Sequence, residues 1–356
     1  MEAASLILTV LAGSGTPGTL TVLFDGVSTT HPGFVLLPDG DVLFVDGEGL
    51  LRRLDPADPA SAVAMETDWD PARWGWESCT GFGLLRISPD GRWLCLGEQV
   101  AVPESLQTAD GYVPGPVVLV LMGSDGTGAR PLALSFDVGG GPRFDFTRDS
   151  RFVYGMPLLE CGPTPEAFVT HWALGGEDPA YAGYLVDVRD GTRSGEDRGF
   201  LGDGYHPNPW SDLVAAGCYP PDVIADVTTG EVLLRDSSES PWGIVETWVL
   251  PDAGLAWLDG VQVLRHADGR TVANPGEPLF VCGRLQDGRY VFGTDGGATI
   301  LLGDVDWETF GTLGAVPLHG LEGTLDPWSE IVGLPDGSGI LFEQGGALLL
   351  YAFPVD

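Results

Sequence analysis

An all-β fold, a β-propeller of about seven four-stranded blades, is what this sequence predicts, and three observations predict it. Short apolar runs of strand length recur along all 356 residues. The breaks between them carry Asp, Gly and Pro, in a chain with 53 glycines and 28 prolines. No run keeps an amphipathic helical spacing over several turns. The clearest unit is residues 31–55, HPGFVLLPDGDVLFVDGEGLLRRLD. Its apolar runs 33–37, 41–45 and 50–54 are separated by Pro38-Asp39-Gly40 and by Asp46-Gly47-Glu48-Gly49. Such a unit reads as a three-stranded antiparallel meander.

Taken in order, residues 6–12 are apolar and β-branched and read as a strand, followed by the glycine-rich break 13–18 and a second run at 19–24. After the 31–55 unit, residues 84–96 (LLRISPDGRWLCL) form a hairpin, with further strands at 117–122 and 131–136. Residues 144–154 (FDFTRDSRFVY) and 184–188 make the next unit. Weakly marked strands near 211–218 lead into 223–234 (VIADVTTGEVLL). Residues 244–258 restart the pattern and 261–265 continue it. Residues 280–292 with 299–302, then 331–353, complete the series. Hairpin turns are thereby expected at Asp39, Asp90, Asp149, close to Asp212, and at Asp252, Asp287 and Asp336. Long inserts fall at 99–115 and 159–182, where the text suggests loops. The last unit has only three strands, and an open edge would expose unpaired backbone. The N-terminal strand 6–12 is expected to complete it (residues 328–353), with 19–24 as the alternative, in a single domain spanning 1–356.

Two stretches resemble known repeats. LTVLAGSGTPG (residues 8–18) and PGFVLLPDGDVLFVDGEGLLRRLDP (residues 32–56) resemble one blade and the closing strand of an NHL-type propeller, with Gly49-Leu50 where that repeat carries Asn-His. The later S-P-D-G-hydrophobic hairpin is similar to those of TolB-like and WD-repeat-like propellers. The resemblance implies the fold and carries over no activity.

Composition narrows the partners. Seventeen basic residues against 51 acidic ones give a formal net charge of −34, and every basic residue is arginine. Such a chain repels phosphate backbones and anionic lipid, so nucleic-acid and membrane-surface binding are both disfavoured. Its five cysteines (Cys79, Cys95, Cys161, Cys218, Cys282) are far apart and form no CxxC. They read as buried free thiols without disulfides, and the expected location is cytoplasmic, with secretion after signal removal left open. A monomer without cofactor is expected.

Function is less legible. In a propeller, the loops from second to third strand emerge on the same face as the connections between blades. Placed this way, Trp74, Trp76, Tyr112, Glu160, His171, Trp172, His206 and Trp210 gather on one face, which we take as the candidate ligand-binding surface. Aromatic rings edged by carboxylates suit a protein, a peptide or a saccharide. The competing reading is that the tryptophans pack between blades. A propeller enzyme, a lyase or hydrolase with an acid/base or metal site at the channel mouth, is the alternative. Its candidate residues are His171, His206, Glu160 and Asp203. The five histidines are never in ligand spacing, the Asp/Gly turns do not follow the EF-hand pattern and no GxSxG occurs, so no metal ligand or nucleophile is named.

Overall fold

The computed structural model describes residues 7–8, 18–27, 33–106, 115–135, 143–156, 158–159, 161–175, 181–182, 185–194, 204–207, 211–217, 223–235, 244–249, 255–259, 263–266, 271–273, 280–294, 299–306, 311–321, 325 and 331–353. Its paired strands are antiparallel, and in each four-stranded sheet they follow one another in sequence, whereas the sheet holding the C-terminal strands also takes in N-terminal ones. Four sheets have four strands. The first is built from Phe34–Leu36, Val42–Val45, Leu51–Asp55 and Asp58–Ala64. The others begin at Gly204, Ile244 and Phe280. A six-stranded sheet begins at Glu77 and a five-stranded one holds the C-terminal strands.

Six sheets thus hold four or more strands, and the expected seven four-stranded blades become six. The remaining sheet has three strands, Arg143–Phe146, Phe152–Met156 and Leu185–Asp187. Beyond it the chain turns at Asp190-Gly191 and, among the described residues, returns as an isolated bridge between Val186 and Arg193. The Arg193 guanidinium there donates to the carbonyls of Leu159 and Cys161.

Of residues 6–12, Ile7–Leu8 is described, and it is not the strand that pairs with the last C-terminal one. That position belongs to Thr19–Asp25, which pairs antiparallel with Ala347–Ala352, and Ile7–Leu8 pairs on its far side. The longer strand can bury Leu23 and set Phe24 against Phe44, ring centroids 4.6 Å apart. The first sheet also gains a fourth strand, Asp58–Ala64, which is mostly solvent-facing and therefore lacks the apolar alternation of its neighbours. Its Pro59 is tolerated because an edge position needs no donor on one side.

Five of the expected hairpin turns share one hydrogen bond. Asp39, Asp90, Asp149, Asp287 and Asp336 each accept, through Oδ1, the backbone N–H two residues on, at 2.9–3.2 Å. This is the Asx turn for which Asp is selected. Asp252 lies outside the described residues.

The described residues group into two compact units, 1–47 with 52–64 and 262–356, and 48–51 with 65–261. In the first, Phe34, Val42, Phe44 and Leu54 pack on Leu23, Leu341 and Leu348. Val291, Ile300 and Leu302 pack on Ile340, Phe342 and Tyr351. In the second, Cys95, Leu119 and Leu121 meet Phe144, Phe146 and Val153, and Tyr154 and Leu185 meet Val214 and Val227. Within each unit, these neighbouring sheets thus cover one another's apolar faces. Cys95 and Cys161 are free, buried thiols, and burial pushes Cys161 up to about 11. Cys218 and the side chains of Cys79 and Cys282 lie outside the described residues. Among the described residues no helix is long and apolar enough to cross a membrane.

Candidate functional site

The site lies within the second unit and is built from three segments: residues 70–77, 101–106 and 161–175. Asp70-Pro71 starts a short 3-10 turn, Pro71–Trp74. The Asp70 side chain accepts the Ala72 N–H at 3.0 Å, and proline suits the first position because no donor is needed there. Gly75 ends the turn at φ 84°, a left-handed conformation that glycine adopts without cost. Its N–H donates to the Ala72 carbonyl and that of Trp76 to the Pro71 carbonyl, both at 3.1 Å. Just upstream, the Trp69 indole N–H donates to the buried Glu98 carboxylate.

This turn separates two tryptophans. Trp76 is 1% exposed, donates from Nε1 to the Pro163 carbonyl at 3.2 Å, and packs on Phe168 with ring centroids 6.1 Å apart. Trp74 is 40% exposed. Trp76 is therefore corrected from a ligand-facing residue to a packed one: its face is already covered by the 159–182 insert.

That insert is not a loop. Its centre is the helix Pro165–Gly175. The Thr164 carbonyl accepts the Phe168 N–H at 3.0 Å, and Glu166 sits in the first turn, where a carboxylate complements the helix dipole. Thr164-Pro165-Glu166 is a helix-start signal legible in the sequence. The helix shows only a weak apolar stripe, so the periodicity search passes over it. The insert's base is tied down as well. Leu158–Leu159 pairs with Tyr181–Ala182, and Leu158 opposes Ser135 on the neighbouring outer strand. The helix packs on the turn Glu104–Leu106 of the other long insert.

Of the residues expected on this face, the side chains of Trp74, Trp76, His171 and Trp172 are described, and contacts through Phe168 join Trp76 and Trp172. Trp172 is half-buried with its ring 6.1 Å from Phe168, so Trp76, Phe168 and Trp172 form a continuous aromatic row. His171 is partly buried, and its Nε2 is enclosed without a hydrogen-bond partner among the described residues. Tyr112, Glu160, Asp203 and Trp210 lie outside the described residues. His206 lies in the strand Gly204–Pro207, of whose side chains nothing is described. Phe168, which joins Trp76 to Trp172, and Glu98, which accepts the Trp69 indole N–H, were not singled out by the sequence. Among the described residues no group of three or more His, Cys, Asp or Glu is placed to hold a metal.

No protein-family model and no curated protein matches this sequence. Solved structures do. The chain is similar to the β-propeller domain of Cps50 (Swd1) from Myceliophteria thermophila, at 12% identity and TM-score 0.53 over 94% of this chain and 100% of that one. The fold is a β-propeller. YCF48, solved bound to the D1 peptide, matches at 9% identity and TM-score 0.53, covering 98% of this chain and 99% of that one. A streptogramin B lyase matches at 12% identity and TM-score 0.52, covering 96% and 100%. At these identities the likeness concerns architecture, which hosts binding proteins and enzymes alike.

Proposed function

We propose that this propeller is a non-catalytic binding protein that takes a protein or peptide segment on the surface around Trp74. The observation that carries the reading is the contrast between the two tryptophans. Trp76 is used for packing, whereas Trp74 keeps 40% of its surface exposed on a turn pinned at both ends. The exposed part of that ring, held on an ordered backbone, gains nothing from packing within the chain. It does lower the ordering cost of a contact, and tryptophan is enriched where interfaces concentrate their binding energy. The peptide-bound YCF48 propeller supports a peptide as ligand on this architecture. Of the four candidate residues of the catalytic alternative, His171 is the one whose side chain is described, and among the described residues its Nε2 has no hydrogen-bond partner.

The test is selection of 12-residue peptides from a random display library on the full chain. Affinities of the enriched peptides are then measured for wild type and Trp74→Ala. Loss of at least tenfold in affinity, in a variant still folded at the assay temperature, is expected. Peptides that bind both proteins equally would overturn the assignment of this surface.

A further inference from the structure

The helix Pro165–Gly175 has eleven residues, fewer than a helix needs to stand alone in water. It persists because other parts of the second unit hold it. Arg193, which bridges to Val186 of the three-stranded sheet, donates from its guanidinium to the carbonyls of Leu159, at 3.0 Å, and Cys161. Trp76 donates from Nε1 to the Pro163 carbonyl at 3.2 Å. The three acceptors are alternate residues leading up to the helix start. Cys161 and Pro163 belong to no strand or helix, so distant side chains supply the donors that their carbonyls need. The packed helix also carries a cost. His171 is partly buried, and its Nε2 is sealed from solvent without a hydrogen-bond partner among the described residues. A ring nitrogen that has lost water and gained no partner opposes the packed arrangement, and lifting the helix would return it to solvent. Contact of Phe168 with Trp76 pulls the other way.

We infer that the helix Pro165–Gly175 is a latched cap: the Arg193 guanidinium holds its entry down, and lifting the cap uncovers Trp76 and Phe168 as an apolar site beside Trp74. The cap and the Trp74 turn adjoin, since Pro165 Cγ lies 3.4 Å from where a side chain on Gly75 would begin. Resting on the peptide-binding reading above, the uncovered site takes an apolar or aromatic side chain of the bound segment. Trp76 is 1% exposed and Phe168 fully buried while the cap is down, so neither ring can meet a partner until it lifts. A partner that binds only the lifted arrangement shifts the population toward it, and its apparent affinity is lowered by the fraction of molecules that are latched.

Native-state hydrogen exchange of the full chain, read by mass spectrometry, tests the cap. Amides of 165–175 are expected to exchange at least tenfold faster than those of Val117–Gly123, a buried strand of the same unit. Arg193→Ala should speed exchange over 165–175 at least a further fivefold and leave Val117–Gly123 unchanged. His171→Leu, which removes the sealed nitrogen, should slow it at least threefold. The display-selected peptides should bind Arg193→Ala at least threefold tighter than wild type, because fewer molecules are latched. Exchange over 165–175 as slow as in Val117–Gly123 overturns the cap, as does acceleration by Arg193→Ala that spreads equally to that strand. Unchanged or weaker peptide affinity in Arg193→Ala overturns the link between cap and partner, and peptide binding still stands if Trp74→Ala abolishes it. If no peptide depends on Trp74, the peptide reading falls, and the exchange rates decide the cap by themselves.

Discussion

Trp74 and Trp76 are two residues apart and have unequal surroundings, so their removal should have unequal consequences. Trp76 is enclosed by Phe168 and bonded to the Pro163 carbonyl, and Trp76→Ala leaves a cavity beneath the helix as well as an orphaned acceptor. A loss of about 3–5 kcal/mol is expected in urea denaturation. Trp74→Ala removes a ring that is 40% exposed and should cost about 1–2 kcal/mol, clearly less than Trp76→Ala. Equal costs would mean that Trp74 packs on something as well. Asp187 is a second residue with a defined signature. Its buried carboxylate accepts from Arg189 Nε at 3.0 Å and Nη2 at 2.7 Å, from the Arg189 N–H at 2.9 Å and from Arg151 Nε at 3.2 Å. The Arg189 hydrogen bonds, above all, hold it well below the usual carboxylate range. A depressed pKa in the folded state contributes stability above the unfolded value of about 4, and that contribution is lost as pH falls through it. Asp187→Asn should cost about 1–3 kcal/mol at pH 7, with the gap to wild type narrowing below about pH 4. A gap that widens in acid would contradict the sign.

At the scale of elements, the hairpin turns do more than reverse the chain. The Asp90 N–H donates to Ser150 Oγ at 3.0 Å, and the Arg148 N–H donates to Asp212 Oδ1 at 2.7 Å. Turns of three successive sheets in the second unit are thereby tied together. Ser150 takes the left-handed position of its turn at φ 59°, where Asp90 and Asp287 are each followed by glycine. The serine hydroxyl offers a bond that glycine cannot, which offsets the backbone strain. Ser150→Ala keeps the strain and loses the bond, so it should cost about 1 kcal/mol in urea denaturation. Ser150→Gly loses the bond but relieves the strain and should cost less. If alanine proves as stable as serine, the bond between the turns contributes nothing.

For the whole molecule, the charge imbalance of 51 acidic to 17 basic residues has a thermodynamic consequence. Ion pairs such as Arg53 with Asp39 and Arg92 with Asp90 are largely exposed and individually worth little. Repulsion among the surplus carboxylates therefore dominates the surface electrostatics and is screened by salt. The melting temperature should rise when NaCl is raised from about 0.05 to 0.5 M at neutral pH. A fall would show that the ion pairs outweigh the repulsion.

The sequence by itself determined the fold class and most of the turn positions, because both depend on local chemistry. Short apolar runs select strands, and Asp39, Asp90, Asp149, Asp287 and Asp336 each supply their own acceptor to the backbone two residues on. What only the tertiary structure decided rests on contacts between distant segments. That Trp76 and Trp172 both meet Phe168 follows from the pairing of two segments far apart in the chain, which no local pattern announces. Nothing in residues 6–24 says which strand meets Ala347–Ala352, because either apolar run could occupy that edge. The strand Thr19–Asp25 prevails by burying Leu23 and stacking Phe24 on Phe44. Nor does the local text of Trp74-Gly75-Trp76 tell the two rings apart. Their fates diverge because Pro163 and Phe168, nearly ninety residues away, arrive over Trp76 and leave Trp74 partly exposed.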